Sequence, residues 1–267
     1  RLMQAGMALR AAATRIDRLD AEVLLAHQLG MTRMALLLAL DRDIDDAAFA
    51  ALVDRRAAGE PVAYIIGHRE FWSLDLLVTP DVLIPRPDSE TLIEAARAAF
   101  AAQAPRRIVD LGTGSGALLL AALACWPGAF GVGIDRSEAA VQVARTNARR
   151  LGMPAAFLVG DWATALAGRF DLVLANPPYV ETGAQLARDV RDHEPASALF
   201  AGADGLDDYR RLVPMLPGLL APGGVAVIEI GATQADAVTA LAAQAGLGAQ
   251  LHRDLAGLPR ALALRAA

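Results

Sequence analysis

The sequence predicts an α/β protein built on a largely parallel, doubly wound sheet, with a small N-terminal helical bundle and a β-hairpin linker between the two. Three observations point there. From Arg107 onward the pattern runs strand, glycine-rich turn, helix, strand, and repeats, an order that puts helices on both faces of a parallel sheet. Residues 1–60 carry helical periodicity alone. Between these regions, β-prone residues lead into Ile84-Pro85-Arg86-Pro87, where two prolines stiffen the backbone and mark a domain junction. The expected boundaries are 1–67 for the bundle, 68–84 for the hairpin linker and 85–267 for the sheet domain. A chain of 267 residues has room for both, because domains cluster at roughly 100–150 residues.

In the bundle, Leu19, Val23, Leu24 and Leu29 fall near one helical face, with Asp20 placed to cap and Gly30 to stop. Further helical runs span Met31 to Leu40 and Asp45 to Ala58, the latter closed by Gly59 and Pro61. Few polar groups there could converge on a reactive centre, so the bundle reads as a recognition or scaffolding module. Phe71, Trp72, Leu74, Leu76 and Val78 suit a hairpin with its tight region at Ser73/Asp75. Asp88 is placed to cap a helix through Phe100, with Glu90 in its first turn. Sheet strands are expected at Ile108–Leu111, Gly131–Ile134, Ala156–Val159, Leu172–Ala175 and Val225–Glu229, with ligands at their carboxyl ends.

Composition excludes several chemistries. All 25 basic residues are arginine, so there is no Walker lysine, Schiff-base lysine or lysine general base. The net charge of -5 lacks the basic footprint of a duplex binder, and no stable nucleic-acid binding is expected. No segment approaches the roughly 20 apolar residues that a bilayer span needs. Cys125 is the single cysteine, which excludes an internal disulfide and a cysteine zinc site and fits a reducing cytoplasm. His27, His68, His193 and His252 have no metal-binding spacing, so no metal is expected. The chain starts at Arg1 without an initiator Met or a secretory pattern, so its first residues are expected to be missing.

Three motifs carry chemistry. The first is the turn Gly112-Thr113-Gly114-Ser115-Gly116 between a strand and a helix, where a ligand can approach bare backbone and helix N–H groups. Its Gly-x-Gly-x-Gly spacing departs from the Gly-x-Gly-x-x-Gly that makes room for a pyrophosphate, which favours S-adenosylmethionine over NAD. Asp135 ends the next strand, about 20 residues on, where a carboxylate can accept both ribose hydroxyls. It could equally cap the helix that starts near Ser137. Asp161 and Trp162 close the third strand, in place to lie beside an adenine ring.

The most specific motif is Asn176-Pro177-Pro178-Tyr179, directly after the strand that ends at Ala175. An amide nitrogen is a poor nucleophile because its lone pair is delocalised into the carbonyl. If the Asn176 side-chain carbonyl and the Pro177 main-chain carbonyl each accept one N–H, the nitrogen can pyramidalise toward a methyl donor. Pro177 and Pro178 keep those acceptors rigid, and Tyr179 can stack on the planar amide. Catalysis is therefore expected from Asn176, Pro177 and Tyr179, with no dedicated general base.

These residues resemble the release-factor glutamine methyltransferases, the HemK/PrmC family, over nearly the whole chain. The likeness runs through Asp20-Ala21-Glu22-Val23-Leu24-Leu25, Tyr64-Ile65-Ile66-Gly67, Val82-Leu83-Ile84-Pro85-Arg86-Pro87, the glycine turn and Asn176-Pro177-Pro178-Tyr179-Val180. It continues in His193-Glu194-Pro195, Ala198-Leu199-Phe200, Asp204-Gly205-Leu206 and Asp254-Leu255-Ala256-Gly257. Asp88-Ser89-Glu90 departs from the family's frequent Glu-Thr-Glu, and Pro259-Arg260 from its common Asp-Arg. The resemblance implies a Rossmann-like class I methyltransferase that modifies the Gln of a Gly-Gly-Gln loop on peptide chain release factors. It also implies cofactor contacts at Gly112 to Gly116, Asp135, Trp162 and Asn176, and a substrate clamp at Asn176 to Tyr179. Arg86 is a further candidate, either for binding an acid across the domain junction or for meeting the incoming protein, and Glu229, ending an apolar strand, for ordering the site. A cytoplasmic monomer is expected. Two other readings stand beside it: an adenine amino-methyltransferase acting on DNA or RNA, and a non-catalytic cofactor-binding scaffold.

Overall fold

The computed structural model describes residues 2–164 and 166–266. They form two compact units, 2–68 with 186–194, and 69–185 with 195–266. Segment 186–194, read from sequence as part of the sheet domain, thus belongs to the first unit, and the hairpin belongs to the second.

In the first unit, β1 (Leu2–Gln4) pairs antiparallel with β2 (Asp43–Asp45) beside helices Ala5–Ala12, Arg18–Gln28, Arg33–Leu37, Asp46–Ala57 and Val62–Ile66. Asp17, not Asp20, caps the second helix, accepting the Leu19 N–H at 2.7 Å. Asp20 lies inside that helix, where its carboxylate takes the Arg56 guanidinium at 2.6 Å. The run from Met31 to Leu40 shrinks to Arg33–Leu37, because Thr32 adopts extended backbone and caps Ala35 at 3.1 Å. Leu24, Leu25, Leu36, Ile44, Phe49 and Val53 fill the core. Glu22 is buried among them and is held ionised by Arg33 and Arg18, which keep its carboxyl below the usual range.

The second unit begins at Arg69, within a hairpin of β3 (His68–Phe71) and β4 (Leu74–Leu77). Its turn is Trp72-Ser73, one step before the expected position, and both residues have positive φ (53° and 60°). Carboxylates hold this unfavourable geometry: Glu90 accepts the Trp72 N–H at 2.8 Å and Glu70 the Ser73 N–H at 2.6 Å. Asp88 makes no cap; it sits in the 3-10 turn Pro87–Ser89 that enters helix Glu90–Ala99.

Five parallel strands follow: β5 (Arg107–Leu111), β6 (Phe130–Asp135), β7 (Ala155–Val159), β8 (Phe170–Ala175) and β9 (Leu220–Glu229). β10 (Leu247–Arg253) and β11 (Pro259–Ala266) add an antiparallel hairpin, giving the order β10-β11-β9-β8-β5-β6-β7. Pro259 opens β11, where its missing N–H costs no interior ladder bond. Two cores form because neighbouring residues point to opposite faces. Ile108, Leu172, Leu174, Val225 and Val227 pack with helices Ala117–Cys125 and Glu138–Arg150. Val109, Leu111, Val173, Ala175, Ala226 and Ile228 pack with helices Asp207–Leu212 and Ala235–Gln244. β5 and β8, covered on both faces, end side by side, which brings the glycine turn next to Asn176.

Candidate active site

A cavity of about 340 Å³ opens at the carboxyl ends of β5, β6, β7 and β8, within the size range of small-ligand sites. Gly112, Thr113, Gly114, Ser115, Asp135, Asp161, Trp162, Asn176, Pro178 and Arg86 line it. Gly116, Pro177 and Tyr179 do not. Gly116 instead precedes helix Ala117–Cys125 in the left-handed region, where a Cβ would stand 3.3 Å from that of Ala144. Tyr179 points behind the cavity wall, its hydroxyl donating to Glu229 Oε1 at 3.3 Å.

The glycine turn depends on backbone that side chains disfavour: Gly112, Gly114 and Gly116 have φ of 74°, 52° and 84°. Main-chain N–H groups of Gly112 and Thr113 both donate to Ile134 O, tying the turn to β6. Open space lies beside Gly114, while Trp162 covers Gly112, at 3.4 Å from where a Cβ would stand. Trp162 is itself held at a φ of 49°. Asp135 accepts the Gly114 N–H at 2.9 Å on Oδ2 and the Ser137 N–H at 2.9 Å on Oδ1. It therefore braces both the turn and the next helix, and each oxygen retains a lone pair for a ribose hydroxyl. A carboxylate, a bare glycine backbone and an indole make a donor set suited to a nucleoside without phosphates. Asp161 also lines the cavity, but its carboxylate pairs with Arg211 at 2.5 Å.

Asp110 lies beneath the turn, 1 % exposed, accepting the Thr113 hydroxyl at 2.6 Å. Burial drives its carboxyl up to about 7, with Asp135 adding to the rise and Thr113 opposing it. The folded chain therefore keeps a proton that the unfolded chain loses near the ordinary value of 3.8. Stability contributed by Asp110 should fall as pH rises through this window and level off above about 7. Glu229 has the same sign. Asp110→Asn should thus show a smaller drop in melting temperature between weakly acidic and weakly basic buffer. An unchanged drop would assign the pH dependence elsewhere.

Several site residues were not read from the sequence. Ser89, in the 3-10 turn, lines the cavity and accepts from Asn176 Nδ2 at 3.3 Å. Gln234 Nε2 donates to Tyr179 O at 3.1 Å and Gly205 O at 3.2 Å, clasping the Asn-Pro-Pro-Tyr loop. Asp208 lines the cavity beside Trp162; burial raises its carboxyl, against Arg211, Arg136 and the indole of Trp162. Asn147, wholly buried, bonds both main-chain groups of Leu77, at 2.7 and 2.9 Å, and Ser115 O at 2.9 Å. Each of these joins segments far apart in the chain, so no local pattern announced it.

Comparison with known proteins assigns the chain to a family. Residues 2–67 match the PrmC N-terminal domain and residues 88–194 the Methyltransferase small domain. A release factor glutamine methyltransferase of Rhodospirillum rubrum is 47% identical over 265 residues, covering 96% of this chain and 81% of its own. The chain belongs to the release factor glutamine methyltransferase family. A second release factor glutamine methyltransferase, from Bordetella pertussis, is 46% identical over 255 residues, with 92% of this chain and 93% of its own covered. Among solved structures, the hMettl16 catalytic domain superposes with a TM-score of 0.58 at 16% identity, over 79% of this chain and 81% of its own. A T. thermophilus 16S rRNA methyltransferase, solved with AdoMet and guanosine, gives 0.55 at 20% identity, over 75% and 50%. Those two likenesses concern the fold, and they agree with the methyltransferase sheet that the motifs implied. Among the described residues no helix is long and apolar enough to cross a membrane, and no cluster of His, Cys, Asp and Glu could hold a metal.

Proposed function

We propose that the protein transfers a methyl group from S-adenosylmethionine to the side-chain amide nitrogen of the Gln in the Gly-Gly-Gln motif of peptide chain release factors, leaving S-adenosylhomocysteine. The observation that carries this reading is the setting of Asn176 on the cavity wall. Its Nδ2 is committed to Ser89 Oγ, so Oδ1 is the end left to accept an N–H.

S-adenosylmethionine supplies an electrophilic sulfonium methyl. Gly112, Thr113, Gly114 and Ser115 form its cradle, Asp135 takes the ribose hydroxyls, and Trp162 with Asp161 borders the base. Asn176 Oδ1 and the Pro177 carbonyl accept the two N–H groups of the glutamine amide, localising the lone pair on nitrogen. Pro178 and Tyr179 hold that pair of acceptors rigid, and Arg86 on the rim meets the release factor. The amide proton becomes acidic once the nitrogen is alkylated and leaves to water, so alignment is the main work of the protein. The N-terminal unit recognises the substrate protein, and the enzyme acts as a monomer in the cytoplasm, where translation terminates.

The test is methylation by purified enzyme with labelled cofactor, offering release factor, DNA and ribosomal RNA side by side. Mass spectrometry should place a single added methyl group on the Gly-Gly-Gln glutamine. Label found in nucleic acid alone would establish the adenine amino-methyltransferase reading, and no label anywhere the scaffold reading.

A further inference from the structure

Ser89 and Glu229 meet in the buried wall behind Asn176, 4 % and 1 % exposed. Ser89 Oγ donates to Glu229 Oε2 at 2.5 Å and accepts from Asn176 Nδ2 at 3.3 Å. A serine hydroxyl carries one hydrogen. With that hydrogen given to Glu229, Ser89 can only accept from Asn176, which must then present its NH2 and turn its carbonyl away. The two ends of a primary amide are nearly equal in size, so neighbouring donors and acceptors decide which way it faces. Glu229 is anchored on its other side as well. Its Oε1 takes the Tyr179 hydroxyl at 3.3 Å, and Tyr209 donates to its main-chain oxygen at 2.9 Å.

We propose that Glu229 and Ser89 form a positioning relay that sets the Asn176 carbonyl toward the substrate amide, and that protonation of Glu229 reverses it. The proposal rests on Asn176 being the amide acceptor, as read above. When Glu229 takes a proton on Oε2, that O–H donates to Ser89 Oγ and the serine hydrogen turns to Asn176. The amide then rotates to offer its oxygen to Ser89, and NH2 faces the incoming N–H, donor against donor. One proton is taken up from solvent, and only hydrogen bonds are exchanged.

The groups around Glu229 place this reversal in the neutral range. Burial is the dominant influence and carries its carboxyl up to about 7. Arg260, from β11, favours the ionised form, and Asp88, next to Ser89, opposes it. Arg260 is shared, lying 3.0 Å from Asp254 and 3.3 Å from Asp88. Tyr179 and Tyr209 stay neutral donors, since burial lifts both hydroxyls, Tyr179 to about 12. Arg86 acts on Tyr179 in the opposite sense.

The experiment measures kcat, KM for intact release factor and S-adenosylmethionine affinity against pH for wild type, Ser89→Ala, Ser89→Thr and Glu229→Gln. Wild-type kcat should rise with pH on one group titrating near 7, and Glu229→Gln should lose that rise. Ser89→Ala should lower kcat about tenfold to a hundredfold with cofactor affinity nearly unchanged, and Ser89→Thr, which keeps the hydroxyl, should restore it. A readout independent of turnover is the side-chain amide resonance of Asn176 in 15N-labelled protein. It should titrate with the same midpoint in wild type and stay flat in Glu229→Gln. If Asn176→Ala abolishes transfer but Ser89→Ala and Glu229→Gln keep the wild-type rate and pH profile, the relay is wrong and the assigned function stands. If Asn176→Ala is also active, the reading of Asn176 itself fails. A flat Asn176 resonance in the wild type overturns the relay whatever the variants do.

Discussion

Asn176→Ala should abolish methyl transfer, lowering kcat at least about a thousandfold, while S-adenosylmethionine affinity stays within about tenfold. On the proposed reading, the two effects separate because Asn176 offers the cofactor a wall but offers the reacting amide an acceptor. An acceptor matters most when the nitrogen has begun to pyramidalise, since only then do its N–H bonds point away from the amide plane. Truncation therefore removes an interaction that strengthens toward the transition state and little that is made in the ground state. The alanine also removes the group that Ser89 Oγ accepts from, but Ser89 keeps its bond to Glu229, so no charged group is orphaned. Single-turnover kinetics with a release factor, beside titration calorimetry with the cofactor, measures both quantities. Turnover equal to wild type would remove Asn176 from the chemistry.

The second large effect is expected from Gly205→Ala. Gly205 has a φ of 69°, and a Cβ there would lie 2.3 Å from the Tyr179 carbonyl oxygen and 2.7 Å from Gln234 Nε2. The nearer atom is main chain, so relief requires the Asn-Pro-Pro-Tyr loop to move and the clasp by Gln234 to open. Left-handed strain and the collision together should cost about 3 kcal/mol, with turnover down about a hundredfold. Gly152 supplies the control, because it too has positive φ, 65°, but nothing stands within 4 Å of its Cβ position. Gly152→Ala should lose only about 1 kcal/mol and keep wild-type turnover. Chemical denaturation and initial rates on the pair isolate the collision from the strain, and equal behaviour of the two variants would contradict it.

What could be read from sequence were features that a short stretch of backbone must satisfy by itself. The Gly112 to Gly116 turn requires left-handed conformations, and three glycines supply them. Asp135 ends β6 in register with Val159 of β7; of the two roles left open by its position, ribose acceptor and helix cap, the cap falls to Ser137, whose hydroxyl takes the Ala140 N–H, while Asp135 accepts the Gly114 and Ser137 N–H groups. The alternating strands were visible because burial on both faces leaves nearly continuous apolar runs. What escaped were partnerships made by folding. Ser89 and Glu229 are 140 residues apart, Asn147 and Leu77 are 70 apart, and Gln234 and Tyr179 are 55 apart. Local misreadings have equally specific causes. The cap expected at Asp20 is made by Asp17, three residues earlier, and Asp20, inside the helix, takes the guanidinium of Arg56 from another helix. The hairpin turn moved to Trp72-Ser73 because a distant carboxylate, Glu90, steadies a tryptophan in a conformation that its side chain disfavours.

Asn147 couples two places that the chain keeps apart. A single amide is spliced into β4 as if it were another residue of that strand, and its remaining hydrogen reaches Ser115. The helix that carries it begins three residues after Asp135. Hairpin, helix and glycine turn are thereby bolted at shared points, so a disturbance at the hairpin reaches the turn through one side chain. The turn is thus fastened to a strand far from it in the chain by the reach of one amide.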